Sequence, residues 1–354
     1  MSVGIIAIGR NEGPRLAACL ESLPLPRSRV VYVDSGSSDQ SVATARALGV
    51  KVVQLDPGKP FSASRARQEG ATMLLEAAPD TELLQFVDGD CELNPTWLEV
   101  GASFLAQHPE IVAVSGRRRE CRPQQSLYNR FIDREWDSPI GEALSTGGDF
   151  LVRAAAYVQA GGFDPSVPAG EEPELCGRLR ANGGKVWRLD HEMTLHDANM
   201  NSFSEWWRRQ RRAGYGALDV ERRFRLNLFT PWLKSAVFWN VVAPIALLTA
   251  AGVGFIVAGP LAASMVLIAG GVGLLLQVFR LAWKDKRRGS DWRSGFEYGI
   301  LTMLSKLPIF LGILQGLGVW LRGSQSRLME YKTAGVAPRS EGSILVPKSP
   351  QSDL

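Results

Sequence analysis

Asp88 and Asp90 flank Gly89 directly after the apolar residues Phe86 and Val87. Two carboxylates spaced this way on a turn can share one cation and one ribose, and the glycine lets the backbone come close to a ligand. A hard divalent ion, Mg²⁺ or Mn²⁺, wants oxygen ligands and keeps positions open for phosphate oxygens, so the pair suits a bound diphosphate. A second acidic pair, Glu171 and Glu172, opens a stretch that reads as a helix to Ala181. Acids favour a first helical turn, yet a carboxylate crowded by like charge also has its pKa pushed up towards that of a general base for a hydroxyl. In Asp34-Ser35-Gly36-Ser37-Ser38-Asp39, Ser37 or Ser38 can cap a following helix, while Asp34 can accept hydrogen bonds from a base or ribose. His196-Asp197 follows a strand-like segment at 186–189 and gains weight beside the other three groups.

These groups need a frame, and the first half of the chain supplies one. Residues 3–8, 30–34, 51–55 and 83–88 read as strands, with helices over 13–22, 38–48 and 62–77 between them. Asn94-Pro95 then marks another helix start, a cap residue followed by proline. Continuous apolar strands separated by helices predict an α/β fold: an open, mostly parallel sheet with helices on both faces. Such sheets bind ligands beyond the carboxyl ends of their strands, where Asp34 and Asp88 both lie. Neither strand is followed by G-x-G-x-x-G or G-K-S/T, so a nucleotide here must be held by carboxylates and a metal rather than a glycine cradle.

In this order the pieces resemble the inverting glycosyltransferase family 2, whose members have the GT-A fold. The resemblance covers residues 3–216 and rests on Ala7-Ile8-Gly9-Arg10-Asn11-Glu12, the Asp34 to Asp39 loop, Ala66-Arg67-Gln68-Glu69-Gly70 and Asp88-Gly89-Asp90. Gly147-Gly148-Asp149-Phe150, followed by Gly161-Gly162-Phe163-Asp164, is similar to the family's acceptor-side segment. Gln68 replaces the family's asparagine, and Glu171-Glu172 stands where Glu-Asp is usual. The resemblance implies a UDP- or GDP-sugar donor with a divalent metal, Mg²⁺ or Mn²⁺. It places Asn11, Glu12, Asp34, Arg67 and Asp88 on the donor, Asp90 and His196 on the metal, and Gly148, Asp149 and Glu171 on the acceptor side. Glu172 would be the base that deprotonates the acceptor for inverting attack.

The last third belongs to another solvent. Residues 235–279 contain no charged residue and divide at Gly259-Pro260 into two stretches, 235–258 and 261–279. Each is near the ~20 residues that span hydrocarbon. The loop Lys284-Asp285-Lys286-Arg287-Arg288 is expected in the cytoplasm by the positive-inside rule. Residues 296–321 form a third apolar candidate, but Lys306 and Pro308 lie in its middle, and a central lysine costs about 3 kcal/mol on insertion scales. Two spans are therefore expected, with 296–321 interfacial or re-entrant. Arg322, Arg327 and Lys332 follow it, and from 334 the Ser/Pro-rich tail reads as disordered. Before the first span, Trp206-Trp207-Arg208-Arg209-Gln210-Arg211-Arg212 and Arg222, Arg223 and Arg225 suit a headgroup layer better than RNA.

The resulting division is a cytoplasmic catalytic head at 1–216, a basic aromatic linker at 217–234 and a hairpin at 235–282. A basic loop with the third segment at 283–333 and the tail at 334–354 complete it. Residues 3–8 are too short for a signal-peptide core and lack a basic lead-in, which keeps the head in the cytoplasm at the inner membrane. Cys19, Cys91, Cys121 and Cys176 lie singly and are read as buried, reduced thiols. A net charge of +4 is too mild to make nucleic acid the main partner; membrane lipids are expected instead. Gln210-Arg211-Arg212-Ala213-Gly214 lacks the Q-x-x-R-W of polymer-extruding family members, which points to transfer of one sugar at a time onto a lipid-linked or polysaccharide-assembly acceptor. The competing readings are a non-catalytic scaffold of a polysaccharide assembly and a nucleotidyltransferase, the latter lacking a glycine- and lysine-rich phosphate loop.

Overall fold

The structure, a computed structural model, describes residues 1–227 and 229–322. The tail from 334 on, with Arg327 and Lys332, lies outside them. The chain opens with β1 (Val3–Gly9), α1 (Pro14–Ser22), β2 (Val30–Asp34), α2 (Ser41–Ala47), β3 (Lys51–Gln54), α3 (Ala63–Ala77) and β4 (Leu83–Asp88). β5 (Cys91–Leu93), α4 (Trp97–Gln107), β6 (Ile111–Glu120), α5 (Leu127–Glu135), β7 (Gly141–Ala143), β8 (Phe150–Arg153) and α6 (Ala154–Gln159) follow. α7 (Glu171–Ala181), β9 (Lys185–His196) and α8 (Phe203–Phe224) close the head.

The strands form one sheet in the order β3-β2-β1-β4-β8-β6-β9-β5, with β7 also on β9. The open α/β sheet predicted from the strand–helix alternation is therefore present, and β3, β2, β1 and β4 pair in parallel. Beyond β4 the pairing is mixed: β8 runs antiparallel to β4 and β6, while β6 and β9 are parallel with irregular register. Gly116 sits at one of these irregularities, where a Cβ would lie 2.6 Å from the His191 carbonyl oxygen. Two apolar clusters cover the faces, one around Ile5, Leu16, Tyr32 and Trp97, the other around Ile6, Val33, Leu74 and Phe86.

Register decides what the carboxyl edge displays. Gly9 pairs with Asp34 and Ile8 with Asp88, which aligns both aspartates at one rim. Phe86 opposite Phe150 sets Asp149 beside Asp88. His196 faces Cys91 on β5 and Glu120 on β6, so it stands next to Asp90 and Glu120 together.

Several local expectations shift. The helix after Asn94 begins at Trp97; Asn94 instead accepts the Thr96 amide at 3.0 Å in a side-chain turn that leaves Pro95 outside the helix. Neither Ser37 nor Ser38 caps α2, whose first amide, Ser41, donates to Asp39 at 2.9 Å. β9 is far longer than the segment 186–189, so His196 ends a strand rather than following one. Cys121 is exposed, while the other three cysteines are buried thiols. Trp206 is fully buried against Tyr128, Phe131 and Phe203 rather than facing lipid, because α8 packs on the head.

The apolar third begins with α9 (Thr230–Val237), a π-helical segment (Phe238–Val242) and α10 (Ala243–Ala258), which run on as one apolar helix. α11 (Pro260–Lys286), α12 (Trp292–Leu304) and α13 (Lys306–Leu321) follow, the last two separated by Ser305. Three stretches, Thr230–Ala258, Pro260–Lys286 and Trp292–Leu321, are long and apolar enough to cross a membrane. They differ in packing: over the most apolar 18 residues of each, 6% and 0% are buried by protein in the first two, against 33% in the third. The third is held by reciprocal glycines. A Cβ on Gly312 would lie 2.1 Å from the Arg211 carbonyl oxygen, and one on Gly214 would lie 2.2 Å from that of Ile309, so α13 and α8 touch backbone to backbone. Phe203–Phe224 is one unbroken helix, and Gly216, the expected end of the head, falls within it.

Candidate active site

A cavity of about 420 Å³ opens at the carboxyl rim. Its walls carry Asn11, Glu12, Arg67, Asp88, Asp90, Glu171, Glu172 and His196, which the fold draws from five separate segments of chain. Arg10, Ser35 and Phe61 line it as well, and the Arg10 guanidinium lies 5.4 Å from the Phe61 ring centroid. α8 contributes Glu205 and Arg212.

The Asp-Gly-Asp turn is built from below. The Gly89 amide donates to the Ile8 carbonyl at 2.7 Å, and the Asp88 amide donates to Asp149 at 2.9 Å. A Cβ on Gly148 would lie 2.7 Å from an Asp88 oxygen and 2.9 Å from Arg67, so only glycine lets that segment pass so close. Asp149 is fully buried and also accepts the Thr194 hydroxyl at 2.7 Å. It therefore supports Asp88 from beneath and has no surface for an acceptor to touch.

Two buried arginines balance the acids. Arg67 donates to Asp88 and Glu171 at 2.8 Å each and pairs with Glu172 at 2.9 Å. Arg118 pairs with Asp88 at 3.1 Å and Asp149 at 3.3 Å, and lies over the Trp136 ring at 4.7 Å. Burial alone would push the Asp88 carboxyl up, but the two guanidiniums hold it below its ordinary value. Glu172 goes the other way: burial, reinforced by Glu171 and opposed by Arg67, pushes it up to about 7. That is the range a general base needs near neutral pH.

Beside this pair, Asp90 Oδ2 and His196 Nε2 are 3.8 Å apart. Cys91 completes a cluster of groups able to reach one ion. Its thiol is buried, is pushed well above its ordinary pKa by burial, and donates to Asp90 Oδ1 at 3.7 Å. A carboxylate oxygen and an imidazole nitrogen fit a Mn²⁺- or Mg²⁺-class ion better than a thiol does. Asp90 and His196 are the residues that could hold it.

Other predicted residues take different places. Asp34 is fully buried and does not line the cavity; its carboxylate accepts the amides of Gly36 at 3.0 Å and Ser37 at 2.8 Å and the Tyr32 hydroxyl at 3.0 Å. Its loop consumes it, and neighbouring Ser35 lines the cavity in its place. Asn11 adopts a left-handed backbone with φ 54°, and its side chain accepts the Ser38 amide at 2.8 Å, tying the first loop to the second. Glu12 pairs with Arg15 at 2.8 Å. Gln68 accepts from the Tyr157 hydroxyl at 2.7 Å and the Phe163 amide at 2.8 Å, so the longer side chain fastens α3 to the Gly161-Gly162 turn.

Arg118, Glu120 and Phe61 fall outside the residues expected at the site, and Arg212, expected at headgroups, lines the cavity. The first two stand in Arg117-Arg118-Arg119-Glu120, where β6 carries charge into a buried edge; ionisable residues on a strand that must be covered on both faces are the signal that marks them.

A model of the family Glycosyl transferase family 2 matches residues 2–147, the part of the chain that carries the motifs of that family. The chain is similar to the succinoglycan biosynthesis protein ExoA of Rhizobium meliloti (strain 1021), 24% identical over 277 residues, which is 69% of this chain and 82% of that protein. It is also similar to the glycosyltransferase AglE of Haloferax volcanii, 23% identical over 64% of this chain and 76% of that one. Among solved structures, the mannosyltransferase PcManGT from Pyrobaculum calidifontis, in complex with GDP-Man and Mn²⁺, superposes with a TM-score of 0.59 at 18% identity, covering 89% of this chain and 86% of that one. The superposition shows a shared fold of the GT-A type.

Proposed function

We propose that this chain, which carries a glycosyl transferase family 2 domain over residues 2–147, transfers one sugar at a time from a UDP- or GDP-sugar to a hydroxyl of a lipid-linked or polysaccharide-assembly acceptor, with inversion at the anomeric carbon. The observation that carries this reading is a single cavity holding both halves of the chemistry: Asp90 with His196 on one wall, and Glu172, raised to about 7, joined to Asp88 through Arg67.

Asn11, Glu12 and Ser35, with the Phe61 ring, line the end suited to a nucleoside, and Asp88 faces the ribose. Asp90 and His196 would hold the divalent ion, which when bound would supply positive charge to the departing diphosphate. Glu172 takes the proton of the acceptor hydroxyl as its oxygen bonds to the anomeric carbon. The bond from that carbon to the diphosphate breaks, and its electron pair leaves with the diphosphate. Arg67 keeps Glu172 in place and lowers the cost of its charge in a buried site. Glu205 and Arg212 put the acceptor on the α8 side.

The head belongs at the cytoplasmic face of the inner membrane, with Thr230–Ala258 and Pro260–Lys286 as the two spans. Support for leaving Trp292–Leu321 in the interface comes from its contacts at both ends. Glu297 pairs with Arg130 of α5 at 2.9 Å, and Trp320 lies under Arg222 of α8 at 4.9 Å. The stretch thus meets the head on both of its helices, α12 through Glu297 and α13 through Trp320, as a segment lying along the head would.

The direct test is binding of UDP and GDP to the detergent-solubilised full chain, with and without Mn²⁺, beside Asp90→Ala. Metal-dependent binding of one nucleotide, lost in the variant, is the expected result. Folded protein that binds neither nucleotide would overturn the donor site and favour the scaffold reading.

A further inference from the structure

Glu120, at the end of β6, is 2% exposed and absent from the cavity wall, yet its carboxylate is committed to the site. Oε2 lies 2.9 Å from His196 Nδ1, and both oxygens accept the Ala198 amide at 3.2 Å. The backbone fixes the geometry: Glu120 is the register partner of His196 across β6 and β9, and Cys91 pairs with His196 from β5. The imidazole thus stands between two carboxylates, with Glu120 on Nδ1 and Asp90 on the side of Nε2, 3.8 Å away. A carboxylate that accepts from one ring nitrogen leaves the other with its lone pair free, which fixes both tautomer and ring direction.

We propose that Glu120 is the positioning residue of the metal site: it holds His196 as the Nδ1–H tautomer and aims Nε2 at the cation beside Asp90. The inference rests on the donor-site reading above. Through Ala198 the same carboxylate anchors the chain that supplies Ala198, Asn199 and Met200 to the cavity wall. Glu120 itself touches neither donor nor acceptor; it acts through His196. Nothing in the packing requires an acid here for volume, since glutamine has the same shape and can also accept the Ala198 amide. What glutamine lacks is a second acceptor oxygen: one end of its amide is an NH2 donor, which meets either Nδ1–H or the Ala198 amide.

The experiment uses the full chain in detergent with nucleotide, and reads Mn²⁺ binding rather than turnover. Mn²⁺ affinity is measured by electron paramagnetic resonance for wild type, Glu120→Gln, His196→Ala and the double variant. Pulsed spectra read nitrogen coupling to the ion. Glu120→Gln is expected to weaken Mn²⁺ about 10- to 100-fold and diminish the nitrogen coupling, with no further loss in the His196→Ala background. Folded Glu120→Gln with unchanged affinity and coupling would overturn the proposal, as would an equal Glu120→Gln loss in the background lacking His196. Nitrogen-15 spectra of the wild type, with the three histidines told apart by His196→Ala, give a check that needs no Glu120 variant. A His196 ring protonated on Nε2 would overturn the assignment. Wild-type Mn²⁺ binding without nitrogen coupling removes the role of His196 and Glu120 but leaves the donor site standing. Absence of any nucleotide-linked Mn²⁺ binding removes both.

Discussion

Arg67 reaches three carboxylates with one guanidinium, and the protonation of the proposed base, Glu172, depends on it. Burial is the largest influence raising Glu172, Glu171 adds to it, Arg67 opposes it, and Asp88 contributes a weaker push upward. The base works deprotonated, so transfer should rise tenfold per pH unit up to about 7 and then level. Glu172→Gln should lower kcat about 10²- to 10⁴-fold and abolish that limb, both read from initial rates across pH. Arg67→Met, by removing the cation that lowers Glu172, should move the limb to higher pH. The folded chain holds a proton on Glu172 that the unfolded chain has released between its ordinary 4.5 and about 7. In that window the group makes stability fall as pH rises.

At the scale of elements, the α8–α13 crossing depends on having no side chain at two positions. Gly312→Leu should force the backbones apart and cost about 1–3 kcal/mol, read as a lower melting temperature in detergent. Gly318→Ala on the same helix, where a Cβ meets nothing within 4 Å, should be neutral and serves as the control. The sequence exposed the parallel half of the sheet because β1, β2 and β4 are continuous apolar runs ending at Gly9, Asp34 and Asp88. It hid the mixed half. β6 opens on Ile111–Val114 but ends in three arginines and a glutamate, β5 and β7 have three residues each, and β9 mixes charged with apolar positions so that only 186–189 reads as a strand. The same contrast holds in the site. Asp88, Asp90 and Glu172 are legible as local clusters of carboxylates. Arg118 and Glu120 matter through partners 30 and 76 residues away, and spacing along the chain contains no trace of such pairings.

For the whole molecule, the distribution of uncovered apolar surface separates a head from a membrane part. Leu248, Ile256, Val257, Leu261, Ile268 and Leu275 are exposed on the hairpin and require hydrocarbon around them. Salt bridges tie the two parts: Arg130 to Glu297 at 2.9 Å and Arg134 to Asp285 at 3.0 Å. The proposed topology makes a clear prediction for thiol labelling in a Cys121→Ser background. Ala258→Cys should react from the outer side, and Arg322→Cys from the cytoplasmic side. Reaction of both from outside would mean that Trp292–Leu321 crosses as a third span.

Helix α8 has one side in the cavity, through Glu205 and Arg212, and another against α13. If α13 is seated in the interface as proposed, α8 becomes a ruler. The reacting hydroxyl would then stand above the hydrocarbon by about the 10 Å thickness of one helix, which a glycan hung from a lipid headgroup can reach and a hydroxyl within the acyl region cannot.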